Sequence, residues 1–257
     1  MPIPLTEVNL AAIEETRARR HLRESDDFWR QHRNAPLGRG GHYKKRALRS
    51  KLFAAESFAQ AAQLCKNTNP EWAAYLAYTS KMAFFEHYSF DRDIESLLKS
   101  VQQGLLAGDI YKSLGMRDHA ICEYNWVIKE KELSDDKRLL TPIETAKQKE
   151  MGLKQDVSAT ETLAARRPAE HLAMLKKGIE ESMEKAQESE REKKYPEARR
   201  FYQEVVLRVH HAEMLSVHNI LSISLEESVR LSDLATNCLT KIEDLTSLDP
   251  NVFHVVF

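Results

Sequence analysis

Along most of the chain the apolar residues return at intervals of three and four, the period that gathers side chains on one face of an α-helix. The start is different. Residues 5–33 read as a polar helix beginning near Thr6, with Glu and Arg interspersed and little apolar stripe. The following NAPLGRGG, residues 34–41, places one proline and three glycines in eight positions and breaks any helix. It is expected to be a hinge, which makes residues 1–42 a mobile basic arm.

From Tyr43 the helical period is clear. Leu48, Leu52, Ala55, Ala59 and Ala62 share one face, and Asn67–Pro70 ends that helix. A second helix starts near Pro70 with Tyr75, Tyr78, Met82 and Phe85 as its stripe, until Ser89–Asp91 breaks it. A third carries Ile94, Leu97, Leu98, Val101 and Leu105, and a fourth runs from about Asp118 to Glu132. Residues 134–167 lose the period and contain Pro142, Gly152 and the polar piece VSATET, so they are expected to be a linker with at most one short helix.

A second block opens at Pro168, a residue suited to the first helical turn. Leu172, Leu175, Ile179, Met183 and Ala186 form its first stripe. Tyr195–Pro196 separates it from a helix carrying Ala198, Phe201, Tyr202, Val205, Val209 and Ala212. A last helix, about 219–248, presents Leu231, Leu234, Ala235, Cys238, Ile242 and Leu245, and Pro250 closes it before the apolar tail NVFHVVF, residues 251–257. The tail could fold back on its own core, which is the first expectation, add an edge strand to a partner, or dock a carboxylate-capturing domain. No segment asks for a strand. The expectation is an all-α protein, with antiparallel helical hairpins over 43–133 and a three-helix bundle over 168–250.

Composition agrees with long helices. Gly and Pro number eight each in 257 residues, too few for the many turns of a strand-rich fold. The net charge of −1 gives no global pull toward nucleic acid or anionic lipid, but its distribution is uneven. Residues 17–51 hold twelve Lys or Arg against three acids, a local excess of +9, and residues 218–257 hold six acids against two bases, or −4. Cys65, Cys122 and Cys238 are odd in number and lie in helical patterns, which argues against a disulfide framework and for a reducing, cytoplasmic or nuclear, compartment. No apolar run approaches the roughly 20 residues of a membrane span, so a soluble chain without a membrane span is expected.

The most informative stretch is Leu105–Lys129, LLAGDIYKSLGMRDHAICEYNWVIK. Small residues at Gly108 and Ala120 would let two helices approach, Gly115 would permit the tight turn, and Tyr111, Tyr124 and Val127 would fill the space between them. In these positions the segment, about 97–132, resembles a tetratricopeptide repeat; it departs from that pattern at Gly104, Ala107 and Glu132. The spacing returns 78 residues later as Ala186, Ala198, Tyr202 and Val205, with Lys193 where Gly115 stood. There the turn Tyr195-Pro196-Glu197-Ala198, followed by Tyr202 and a long final helix, resembles a microtubule-interacting and trafficking (MIT) domain. That likeness implies a groove that binds short helical motifs of trafficking proteins.

Sites of chemistry are scarce. GRGGHYKK (38–45) lacks the Gly-Lys-Ser/Thr of a phosphate-binding loop, and no His-Glu-x-x-His or Cys-x-x-Cys pair suggests a metal. No cofactor is expected, and the fold argues for binding rather than catalysis. The expected function is therefore that of a non-catalytic adaptor or scaffold for an amphipathic helix or peptide motif of another protein, in trafficking or another multi-subunit assembly. Tyr202, Val206 and His210 recur at spacing four on one face of the helix 196–214 and are expected to flank an open groove. The aromatic helix 70–90, including Trp72 and Phe84, reads either as a helix buried on two sides or as a second groove. The basic residues Arg39, Lys44, Lys45, Arg46, Arg49 and Lys51 read either as a solvated helix start or as a contact for phosphate or an acidic peptide. Nucleic acid bound through residues 17–51 is the alternative partner class.

Overall fold

The computed structural model describes residues 7–36, 40–155, 168–217 and 223–248. Among these residues every regular element is helical: nine α-helices and two short 3-10 turns, with no strand. The described residues divide into two compact units, one within Thr6–Lys154 and the other within Gln155–Phe257.

The first unit contains α1 (Glu7–Asn34), α2 (Gly41–Cys65), α3 (Pro70–Asp91), α4 (Ile94–Ser113), α5 (Arg117–Lys129) and α6 (Leu140–Gln155). Each helix from α1 to α5 packs on the next, so the chain runs as successive hairpins. The caps follow from the residues at the breaks. Asn69 accepts a hydrogen bond from Trp72 N–H ahead of Pro70, and Asp93 accepts from the N–H groups of Glu95 and Ser96. Non-consecutive helices also meet. Lys99 on α4 pairs with Glu56 on α2 at 2.7 Å, and Phe85 on α3 meets Trp126 on α5 edge-on at 5.5 Å.

Two expectations change here. The arm is a docked helix: Ala11, Ala12, Ile13 and Ala18 are buried, and Ser25 donates to the carbonyl of Ala47 on α2 at 2.9 Å. Its polar residues join the packing, since buried Glu15 accepts from Trp72 Nε1 at 2.9 Å and pairs with Arg19. Of the expected linker, residues 140–155 form α6, with Ile143, Ala146 and Leu153 buried. Pro142 does not break α6 because it lies in the first turn, where its missing N–H has no helical partner to lose. Residues 156–167, part of the expected hinge at 37–39 and the tail 251–257 lie outside the described residues.

The second unit contains α7 (Pro168–Arg191), α8 (Tyr195–Val217) and α9 (Leu225–Leu248), with α8 packed on both others. The 78-residue offset is exact in its turn. Gly115 N–H and Met116 N–H donate to the carbonyls of Lys112 and Tyr111; Lys193 N–H and Lys194 N–H donate to Glu190 and Ser189. Both turns are Schellman closures with a left-handed residue, Gly115 at φ 73° and Lys193 at φ 60°. The packing positions match as well: Gly108 and Ala186, Ala120 and Ala198, Tyr124 and Tyr202, and Val127 and Val205 are all buried. Gly108 touches its tyrosine so closely that an added Cβ would lie 2.5 Å from a Tyr124 ring carbon.

Lysine carries a Cβ into a left-handed conformation that disfavours it by about 1–2 kcal/mol, partly offset by the entropy that glycine loses on folding. Lys193→Gly is therefore expected to stabilise the second unit by roughly 0.5–1 kcal/mol. A thermal melt of the full chain reads this directly, and a lowered second-unit transition would count against the turn assignment.

Candidate partner-binding site

The residues proposed from sequence for partner contact lie inside the units. Tyr202 is 2%, Val206 1% and His210 6% exposed, so the face expected to flank an open groove is interior. The reason is the position of α8 in the middle of its unit. A helix packed on two neighbours needs two buried faces, and Tyr202–Val206–His210 is the second of them. Tyr202 further donates its hydroxyl to Glu190 on α7 at 2.8 Å. Trp72 and Phe84 are likewise buried, which selects the reading of α3 as a helix covered on two sides.

The basic residues divide. Arg39 lies outside the described residues. Lys51 is buried and pairs with Glu86 on α3 at 2.5 Å, which removes it from any surface patch. Lys44 is half-buried, while Lys45, Arg46 and Arg49 are exposed. Part of the +9 excess is answered from outside the segment, where Arg17 and Arg19 pair with Glu14 and Glu15 and Lys51 with Glu86, while Arg20 and Arg30 pair with Glu24 and Asp27, acids already counted in it.

The electrostatic centre of the first unit is a buried ion pair. Lys81 on α3 donates to Glu123 on α5 at 2.7 Å, with both side chains almost fully covered. The ammonium also sits 4.5 Å from the Tyr78 ring centroid and 4.6 Å from that of Trp126. Gly104 on α4 makes the room, since a Cβ there would lie 2.9 Å from Val127 and 3.3 Å from Lys81 Cδ. Neighbouring groups respond to this buried charge. Burial and Glu123 push the Tyr111 hydroxyl well above its ordinary value, and burial with Glu123 and Asp118 pushes the Cys122 thiol up to about 12. Cys65 and Cys238 are also raised to about 12, chiefly by burial, so all three thiols stay protonated at neutral pH.

Glu130, in the 3-10 turn after α5, has its carboxyl raised by burial to about 7 against the opposing pull of Lys81. Its Oε2 has no hydrogen-bond partner. The folded state therefore holds a proton that the unfolded state has released between pH 4.5 and 7. Stability should fall as pH rises through that window and level off above it, by about 1 kcal/mol after allowance for solvent screening. Glu130→Gln should flatten this part of the stability–pH curve, which denaturant titrations at pH 5, 6, 7 and 8 would show.

An open concave surface occurs in the second unit, between α7 and α9. These two helices run parallel, joined side chain to side chain by Lys176–Glu227 at 2.9 Å, Cys238 Sγ to Met183 Sδ at 3.6 Å and Lys241–Glu190 at 2.8 Å. A groove of about 540 Å³ lies between them, with Ile179, Met183, Leu231 and Leu234 as its apolar lining. Val229, 53% exposed, stands at its side. The rim carries Glu180, Glu226, Glu227 and Asp233 against Lys176 and Arg230, a balance of −2. Of these, Glu180, Glu226 and Asp233 make no ion pair among the described residues, whereas Glu227 holds Lys176. Sequence reading placed Ile179, Leu231 and Leu234 in the core stripe. Val229, apolar but outside that stripe, was the available hint of a second apolar face.

Among the described residues no three His, Cys, Asp or Glu side chains are grouped to hold a metal ion, and no helix is long and apolar enough to cross a membrane. In comparisons with known proteins, no family model, curated protein or solved structure matched the chain.

Proposed function

We propose that the protein is a non-catalytic adaptor whose second unit binds a basic amphipathic helix of a partner protein in the α7–α9 groove. The observation that carries this reading is the groove itself: an apolar lining of Ile179, Met183, Leu231 and Leu234 beneath a rim where Glu180, Glu226 and Asp233 make no ion pair among the described residues. Its volume lies within the roughly 300–1,000 Å³ of ligand-holding clefts, and its open, elongated form suits one face of a helix rather than an enclosed small molecule. Apolar residues at i, i+3 and i+7 of the partner would enter the groove, and flanking Lys or Arg would meet Glu180, Glu226 and Asp233. The tetratricopeptide-like hairpin α4–α5 and the MIT-like arrangement of α7–α9 fit the same adaptor role.

Selection from a displayed library of helical peptides on the full chain tests this. Recovered peptides should be basic and amphipathic, and should lose at least tenfold in affinity toward Val229→Asp while that variant keeps wild-type helicity and melting. Val229 is exposed, so its replacement should leave the fold intact. Recovery of peptides indifferent to Val229→Asp would count against the groove, and recovery of none would count against the adaptor reading.

A further inference from the structure

A second surface, in the first unit and separate from the α7–α9 groove, carries charge of the opposite sign. On one side of the α1–α2 hairpin two guanidinium groups lie over aromatic rings. Arg46 Cζ is 4.2 Å from the centroid of Phe28, and Arg49 Cζ is 5.4 Å from that of Phe53. His21 meets the same Phe53 ring at 5.6 Å, which continues the row along α1. Phe53 is 39% exposed, and both arginines are exposed.

The two arginines differ from their basic neighbours in what they touch. Arg17, Arg19, Arg20, Arg30 and Lys51 each hold a carboxylate, whereas Arg46 and Arg49 form no ion pair among the described residues. Glu24, the acid beside His21, is held by His21 and Arg20. A guanidinium held over a ring by a cation–π contact leaves its N–H donors available to an oxyanion. Arg46 and Arg49 are three residues apart on α2, so their heads lie on adjacent turns, about 5–6 Å apart at Cβ. Carboxylates at i and i+3 or i+4 of a facing helix have the same spacing.

We infer that this arginine–aromatic row docks an acidic amphipathic helix of a partner protein, with two carboxylates on Arg46 and Arg49 and apolar residues against Phe28 and Phe53. A nucleic-acid strand fits less well. Two guanidiniums without an ion pair among the described residues, with the exposed acids Asp26 and Asp27 on α1, give few phosphate contacts, while non-specific strand binding relies on many.

The test uses the full chain and two fluorescent probes measured by anisotropy at 150 mM salt. One is an array of helical peptides with Glu pairs at i, i+3 and i, i+4 beside leucines; the other is a single-stranded oligonucleotide of similar length. The account expects members of the array to bind, and Arg46→Gln with Arg49→Gln to weaken them at least tenfold while Arg20→Gln changes nothing. Val229→Asp should also leave this binding unchanged, which separates failure here from failure of the α7–α9 groove. No binding by any array member, binding indifferent to the arginine pair, or tighter binding of the oligonucleotide through the same arginines would each overturn the inference.

Discussion

Replacing Lys81 with methionine is expected to cost about 3–5 kcal/mol, because it leaves the Glu123 carboxylate buried with no counter-charge. The two side chains are 3% and 1% exposed and 2.7 Å apart. Water cannot take over the lost interaction without opening the contact between α3 and α5. The reverse variant, Glu123→Leu, should be costly for the same reason. The pair of changes together should recover most of the loss, since apolar groups of similar volume pack in the same space and neither charge remains to be compensated. Denaturant unfolding of the four proteins in this cycle measures the coupling. A loss below about 1 kcal/mol for Lys81→Met would show that the ammonium does not hold the third and fifth helices together.

The second large effect concerns where the first unit ends. A chain stopped after Leu133 lacks α6, and with it the buried side chains of Leu139, Ile143, Ala146 and Leu153. It also lacks Lys149, which grips both carboxylate oxygens of Asp109 on α4 at 2.6 and 2.7 Å, and the Leu153 carbonyl that accepts from Arg117 on α5. Net of ordering entropy, this should cost on the order of 2–4 kcal/mol, or several degrees of melting temperature. A chain stopped after Gln155 should instead melt with the same midpoint as the first unit of the full protein. Equal midpoints for the two truncations would mean that α6 adds nothing to the unit.

The contrast between these two ends shows what sequence pattern can and cannot carry. Helices α2 to α5 were legible because Leu, Ala and Tyr recur along them at helical spacing and the breaks at Asn67–Pro70 and Ser89–Asp91 separate them. The hairpin at Gly108–Val127 and its return at Ala186–Val205 were legible as spacing, and their turns close with the same hydrogen bonds despite Lys193 standing for Gly115. Helix α1 was legible as a helix but its docking was not, because its contact face is built from Ala11, Ala12, Ile13, Ala18 and Ser25. Its buried acid, Glu15, is tolerated only through Trp72, 57 residues away. No local pattern announces such a partner. Helix α6 was expected as no more than one short helix in a linker because Pro142 and Gly152 look like breakers, although one lies in the first turn and the other close to the end.

The binding surfaces were harder to place for a related reason. Periodicity marks apolar faces without saying what covers them. In α8 both faces are covered because the helix stands between two others, so Val206 is interior. In α7 and α9 the residues Ile179 and Leu231 are core positions, each 5% exposed, that also border the groove beside half-buried Leu234. The basic segment was visible as charge alone. Arg17, Arg19, Arg20 and Arg30 meet carboxylates three or four residues away on α1 and Arg49 meets Phe53 four residues away on α2, so only the placement of Arg46 over Phe28 depends on the pairing of α1 with α2.

The most direct measurement of the adaptor account is methyl NMR of the full chain, titrated with a basic amphipathic peptide from the selection. The account predicts saturable shifts centred on the methyl groups of Ile179, Val229, Leu231 and Leu234, weakening as salt is raised because the rim carboxylates supply part of the attraction. Shifts absent from these four residues, or centred on other parts of the chain, would contradict it.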